Sequence, residues 1–344
     1  MTLASCDSRK TAGENPFFTE WDTPHGVPPF DKILPEHFMP AFERGMSLHE
    51  AEIDAITSNK DEATFENTIL AYDNAGQMLA QTELVFGMLC AAETNDRMQA
   101  LQEQAMPLLA AHRDRLDDKL FVRVKEVYDR RAALGLDAEQ MRLLQKTYDS
   151  FVRAGALLDA EQKARLKEIN GQLSLTAVKF GNNILAENNN FVLELKSDEL
   201  DGLPAGIRDA AREKAQQMGK GDKWVFTLHK PSLIPLLTYS TRRDLREKIY
   251  KAYLNRCNNG DEYDNKQLIN DFIRLRTEKA HLLGYPSYAA YVVDDEMAGT
   301  TDAVYELLEG VWTPALERAK GELSELEELF RKDVPEGEFA SWDW

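Results

Sequence analysis

One four-residue helix start, Asp-Ala-Glu-Gln, is written twice, at Asp137–Gln140 and Asp159–Gln162, each shortly after a glycine, Gly135 or Gly155. In both copies the aspartate can accept hydrogen bonds from the free amides of a first helical turn, and the glutamate supports that turn's positive end. Each glycine can take the left-handed conformation that closes the preceding helix. The chain must therefore fold, in this stretch, as helical hairpins with short connections. Apolar spacing extends the pattern in both directions. Helices are predicted from Pro35 to about Ile56, from Thr64 through the apolar run Leu84–Ala92 to about Cys90, and from about Asp96 to Ala133, Asp137 to Ala154 and Asp159 to Ala186.

Residues 15–35 depart from this pattern. Pro16, Phe17, Phe18, Trp21, Pro24, Pro28, Pro29 and Phe30 make a regular helix impossible, and an extended arm packed over the surface is expected. Two short runs, 190–195 and 223–228, read as strands that pair in a small sheet around a helix at Ile207–Met218. Helix resumes at Leu233–Thr238. Thr241 is expected to cap a helix over Arg242–Arg256, followed by helices from about Glu262 to Leu283 and from Thr301 to about Arg331. The layout is a polar tail at 1–14, a helical domain at 15–186, a strand-helix-strand insertion at 187–230 and a helical segment at 231–344. No fixed-period repeat supports a regular solenoid.

With 344 residues and 43% apolar content the chain can bury more than one sizeable core. Its formal charge of −18 would on average repel a phosphate backbone, so nucleic acid is not an expected partner. Cys6, Cys90 and Cys257 are too scattered for a disulfide framework or zinc knot, and Cys90, inside the apolar run, reads as a buried hydrophobe. That run is less than half of the ~20 residues a membrane-spanning helix needs, so no transmembrane segment is expected. Leu3-Ala4-Ser5-Cys6 matches the small-residue pattern at which bacterial lipoproteins are cut and lipidated, yet no basic and apolar leader precedes it. As written the protein is expected in the cytoplasm. If the gene starts upstream, the alternative is a cell-envelope lipoprotein anchored through Cys6, with residues 7–14 as tether.

Little in the sequence carries chemistry. Gly219-Lys220-Gly221 precedes a strand rather than opening a helix, and reads as a surface turn, not a phosphate cradle. A zinc hydrolase needs two histidines one helical turn apart with a glutamate between them to take a proton from the bound water. His49-Glu50 begins that way, but Ile53 stands where the second ligand should be, so His49 is read as a helix-surface residue. The acidic groups Glu322, Glu325, Glu327 and Glu328, and Asp294-Asp295-Glu296, read as solvated faces. Arg242, Arg246, Tyr250 and Tyr253 share a helix side, which can bind a carboxylate or pair with neighbouring acids; pairing is the favoured reading. No catalytic, cofactor-binding or metal residue is assigned.

Several segments together resemble the thimet oligopeptidase family of zinc metallopeptidases. They are Ser232-Leu233-Ile234-Pro235-Leu236-Leu237, Thr241–Tyr250 and Arg274–Tyr285. The opening Asn15-Pro16-Phe17-Phe18, with Pro40-Ala41-Phe42 and Asn67-Thr68-Ile69-Leu70, is similar to the bacterial peptidyl-dipeptidase branch, a relative of oligopeptidase A. The resemblance implies a mainly helical, two-lobed fold around a channel that admits short peptides. It also implies one zinc ion, held in the family by the two histidines of HExxH and a downstream glutamate, all beyond Trp344 here. The expected function of the full-length protein is hydrolysis of short oligopeptides with release of C-terminal dipeptides. This chain would supply channel wall, bind no zinc and be inactive alone, with a monomer as the default state. A non-catalytic helical module that binds peptides or a protein is the alternative.

The ending Trp342-Asp343-Trp344 also resembles a family element, and it reads as a cut. Two large aromatics want a packing partner, so both tryptophans are expected to be loosely placed or exposed.

Overall fold

A computed structural model describes residues 15–344, the side chains of 114–119 excepted; the tail at 1–14, and with it Cys6, lies outside the described residues. The fold is mainly helical with one two-stranded sheet, as the sequence predicts. The chain divides into two units, Met1–Val178 and Lys179–Trp344, with α6 (Ala160–Asn190) running from one into the other.

The first unit contains α1 (Phe38–Ser58), α2 (Ala71–Asp73), α3 (Gln77–Ala92), α4 (Asp96–Asp129) and α5 (Ala138–Arg153). Both Asp-Ala-Glu-Gln starts form the reciprocal caps their spacing allows. The Gln140 amide donates to Asp137 at 2.9 Å and that of Gln162 to Asp159 at 2.8 Å, while each glutamine side chain accepts from the aspartate's own N–H. Gly135 and Gly155 take the positive φ that ends the preceding helix.

Two apolar clusters fill this unit. Phe17 and Ile33 from the proline-rich arm join Phe38 and Phe42 of α1, Phe86 of α3 and Leu109 of α4. Edge-to-face packing of Phe86 with Phe38 and Phe42 centres that cluster. The second gathers Ile53, Phe65, Ile69, Leu120, Val124, Leu144 and Phe151. The arm packs as expected, but it winds through three 3-10 turns rather than lying extended. Proline at the start of each turn fixes the φ such a turn needs.

The helix predicted from Thr64 to Cys90 is interrupted. It starts at a Thr64/Asn67 capping box, is π-wound over Phe65–Leu70, and breaks at Gly76. Gly76 has φ +74°, its N–H donates to Glu52 Oε2 of α1 at 2.7 Å, and a Cβ there would stand 3.1 Å from the His49 ring. The break is set by α1, not by the local run.

In the second unit, β1 (Leu193–Leu195) pairs antiparallel with β2 (Trp224–Phe226), Glu194 opposite Val225. The inward side chains Leu193, Leu195 and Phe226 join α7 (Ala205–Gln217), α8 (Lys230–Tyr239) and α9 (Arg243–Leu254) in one core. Beyond it run α10 (Lys266–Leu282), α11 (Tyr288–Val293) and α12 (Thr301–Asp333). At 33 residues α12 is about 50 Å long, and none of its residues is buried.

Thr241 does not cap α9. The cap position is Arg242, and the Thr241 hydroxyl instead donates to Asp201 at 2.7 Å while its N–H donates to the Asp201 carbonyl. Gly202 makes this approach possible, because a Cβ there would lie 2.2 Å from the Tyr239 carbonyl oxygen.

Candidate functional site

In the second unit, two arginines converge on Asp343. Its carboxylate, 1% exposed, accepts from Arg243 at 2.8 and 2.9 Å and from Arg246 at 2.9 Å, and also from the Ala340 amide at 3.1 Å. Arg246 reaches further, donating to the Trp342 carbonyl at 2.9 Å and the Ser240 carbonyl at 2.8 Å. Arg243 donates to the Glu338 carbonyl as well. Both arginines come from the first turn of α9, where positions three apart share a face. Burial acts to raise the Asp343 pKa, but the hydrogen bonds from Arg243, Ala340 and Arg246 outweigh it and hold the carboxyl below the usual range. Bound in turn to Asp343, the Arg243 guanidinium is held above its ordinary value.

This clamp fixes the segment that carries the two tryptophans. Trp342 lies half-buried, its ring edge-to-face with Tyr250 at 6.1 Å and 5.0 Å from the Lys251 ammonium. Trp344 is 71% exposed. The expectation for the pair thus holds for Trp344, whereas Trp342 packs on α9. The Trp342 ring nitrogen is buried without a hydrogen-bond partner.

A groove of about 700 Å³ opens beside it, walled by Ile234, Leu237 and Thr238 of α8, Tyr250 of α9, Leu323 and Glu327 of α12, and the segment from Phe339 to Trp344. Its size is that of a small-ligand or side-chain pocket, with mostly apolar walls. Thr238, Tyr250, Ser341 and Glu327 supply its polar groups, and the Trp342 indole N–H lies buried. Such a surface can hold an apolar side chain beside a carbonyl; it offers binding, and no residue in it is assigned a chemical step.

The other residues singled out in the sequence fall into structural roles. Arg242 pairs bidentately with Asp244, and Arg246 with Asp343, so pairing is what that helix face does. Lys220 in the Gly219–Gly221 turn pairs with Glu194 of β1. Glu322 and Glu327 bind Arg318 and Arg331 one helical turn away, and Asp294 accepts from the Tyr285 hydroxyl at 2.8 Å. Cys90 is half-buried rather than buried, its thiol pushed up by desolvation, and Cys257 is buried with its pKa raised to about 11.

His49 corrects the sequence reading. It is half-buried rather than on the open helix surface, with its ring 3.3 Å from the buried His112. Among the described residues no three or more His, Cys, Asp or Glu side chains are grouped to hold a metal, so no step through a metal is assigned to them. Arg243 and Asp343 as partners escaped the sequence reading; the clue was a lone aspartate between two tryptophans, a poor surface pattern that invites a buried cationic partner.

Residues 236–344, which carry the clamp and nearly all of the groove, match the model of peptidase family M3. The chain is 35% identical over 335 residues to the dipeptidyl carboxypeptidase of Escherichia coli, an alignment that covers 96% of this chain and 49% of that protein. It is 33% identical over 333 residues to the dipeptidyl carboxypeptidase of Salmonella typhimurium, with the same coverage of each. To oligopeptidase A of Haemophilus influenzae it is 28% identical over 331 residues, covering 92% of this chain and 47% of the relative. The chain spans about half the length of the curated relatives it matches.

Proposed function

We propose that this chain, related along nearly its whole length to peptidases of family M3, is the non-catalytic portion of a zinc-dependent peptidase that cuts short oligopeptides and releases dipeptides from their C-termini. The observation that carries the reading is the similarity to a dipeptidyl carboxypeptidase over 96% of the chain. In this reading the zinc ligands and the glutamate that activates water belong to the half of the relatives' length that the chain does not span. The residues present supply channel wall and scaffold, with the clamp setting the direction of the segment from Phe339 to Trp344. The domain layout follows: a helical unit with its proline-rich arm, the small strand-helix-strand insertion, and a helical segment that leads toward the zinc-bearing region.

The test is a pair of assays with a blocked tripeptide and zinc, read by mass spectrometry of the products. The product of the whole gene is expected to release a C-terminal dipeptide in a chelator-sensitive way, and the 344-residue chain to release none. Release of a single amino acid by the whole product would overturn the specificity, and metal-dependent release by the 344-residue chain would overturn its inactivity.

The exposed apolar residues of α12, Leu307, Leu308, Val311 and Trp312, favour a second reading, a helical module that holds a peptide or protein without cutting it. Saturable binding of the tripeptide by the 344-residue chain, with no cleavage by the product of the whole gene, would select it.

A further inference from the structure

Both apolar clusters of the first unit draw on α1 and α4. Phe42 and Leu109 belong to one cluster, Ile53 and Leu120 to the other. Between those positions on the same two helices stand His49 and His112, with 3.3 Å between His49 Nδ1 and His112 Nε2 and ring planes inclined at 58°. His112 is 2% exposed. The second ring nitrogen of His49, Nε2, is buried without a hydrogen-bond partner. A polar contact thus occupies the seam where an apolar pair would fill the space without any demand on protonation.

We propose that the His49–His112 contact is an acid-sensitive latch that holds α1 to α4 at neutral pH and releases the seam between the two clusters when the pair is protonated.

Two imidazoles share a hydrogen bond only while one facing nitrogen is bare. If both rings carry two protons, two N–H groups face each other at a distance that suits neither, and the contact must open. Protonating His49 alone also leaves a charged ring with a buried Nε2–H that has no acceptor. Among the described residues, the charged groups that act on the ring are Glu52 and Glu50 on α1 and Glu83 on α3, and Arg113 on α4 binds Glu83 at 2.8 Å. Burial lowers the His49 pKa more than the three glutamates raise it, so the net direction is down.

The ring is coupled to its surroundings. Gly76 lies against it, and Gly76 is tied through its N–H to Glu52 on the same helix. A displaced His49 ring must therefore move the turn between α2 and α3 as well as its contact with α4. The sign follows from the lowered pKa: the unfolded chain takes up the proton first, so the contact's contribution is complete above about pH 6.5 and declines as the pH falls below it.

Hydrogen–deuterium exchange of the 344-residue chain at pH 7.5 and 5.5, corrected for intrinsic rates, tests this. Opening of α1 and α4 is expected to rise about tenfold on acidification, the effect of one extra proton bound on opening over one pH unit, with no matching rise in α9. In H49N the opening should be greater at pH 7.5, and the acid-dependent increment should vanish. An equal acid response in wild type and H49N would overturn the latch. Should H49N fail to fold, C2–H exchange of the histidines in the wild-type chain decides: a His49 midpoint below about 6.5 supports the latch, and one at or above that value overturns it.

Discussion

Helices α4 and α12 are nearly equal in length, 34 and 33 residues, and both carry a proline inside. They differ in what surrounds them. Met98, Ala105, Leu109, Leu120, Val124 and Val127 of α4 are buried in the two clusters of the first unit, whereas Leu307 is 69% and Trp312 64% exposed on α12. The first half of α12 is apolar on several sides, at Val304, Tyr305, Leu307, Leu308, Val311 and Trp312, a composition that suits a helix enclosed all round. Capping and local propensity are enough to write a helix. What covers it is decided by other segments, and the same apolar residues stabilise one helix and leave the other bare.

Substitutions that remove comparable apolar groups should expose this difference. Phe86→Ala deletes a ring at the centre of the first cluster and is expected to destabilise the first unit by about 3–5 kcal/mol, read by denaturant unfolding. Asp343→Ala strands Arg246 beside a lost partner, at a cost of about 2 kcal/mol to the second unit, kept low by the exposure of Arg243. Because the Asp343 pKa is depressed, that contribution is present above the ordinary carboxylate value near 4 and is lost as the pH falls through the folded value. Wild type and variant should then converge in stability in acid, well below pH 4.

A smaller effect is expected from Gly76→Ala, about 1–2 kcal/mol, since the new Cβ meets both a left-handed backbone and the His49 ring. Smallest of all is Trp312→Ser. On an exposed helix face it should change the stability of the 344-residue chain by no more than about 0.5 kcal/mol. A loss as large as that of Phe86→Ala would erase the contrast between α4 and α12.

The parts of the fold readable in the sequence are those decided within a few residues. Asp137 and Asp159 cap what they precede because their partners, Gln140 and Gln162, are three positions away. The parts that escaped are decided across long separations. Gly76 breaks a helix because of Glu52 and His49, Thr241 leaves its cap position for Asp201, and His49 turns inward to meet His112, 63 residues on. The candidate site shows the same division. Arg246 was recognisable as a residue that pairs, yet its acid lies 97 residues downstream, and no local pattern names it.

The Asp343 clamp has a consequence for the order in which the second unit folds. Arg243 and its carboxylate partner are 100 residues apart, and closing a flexible loop of that size costs about 4 kcal/mol, more than one partly exposed ion pair returns. The contact can form only after the intervening helices have drawn its ends together. It is a closing step rather than a nucleus, so it acts by slowing unfolding: loss of Asp343 should raise the unfolding rate of the second unit and leave its folding rate almost unchanged.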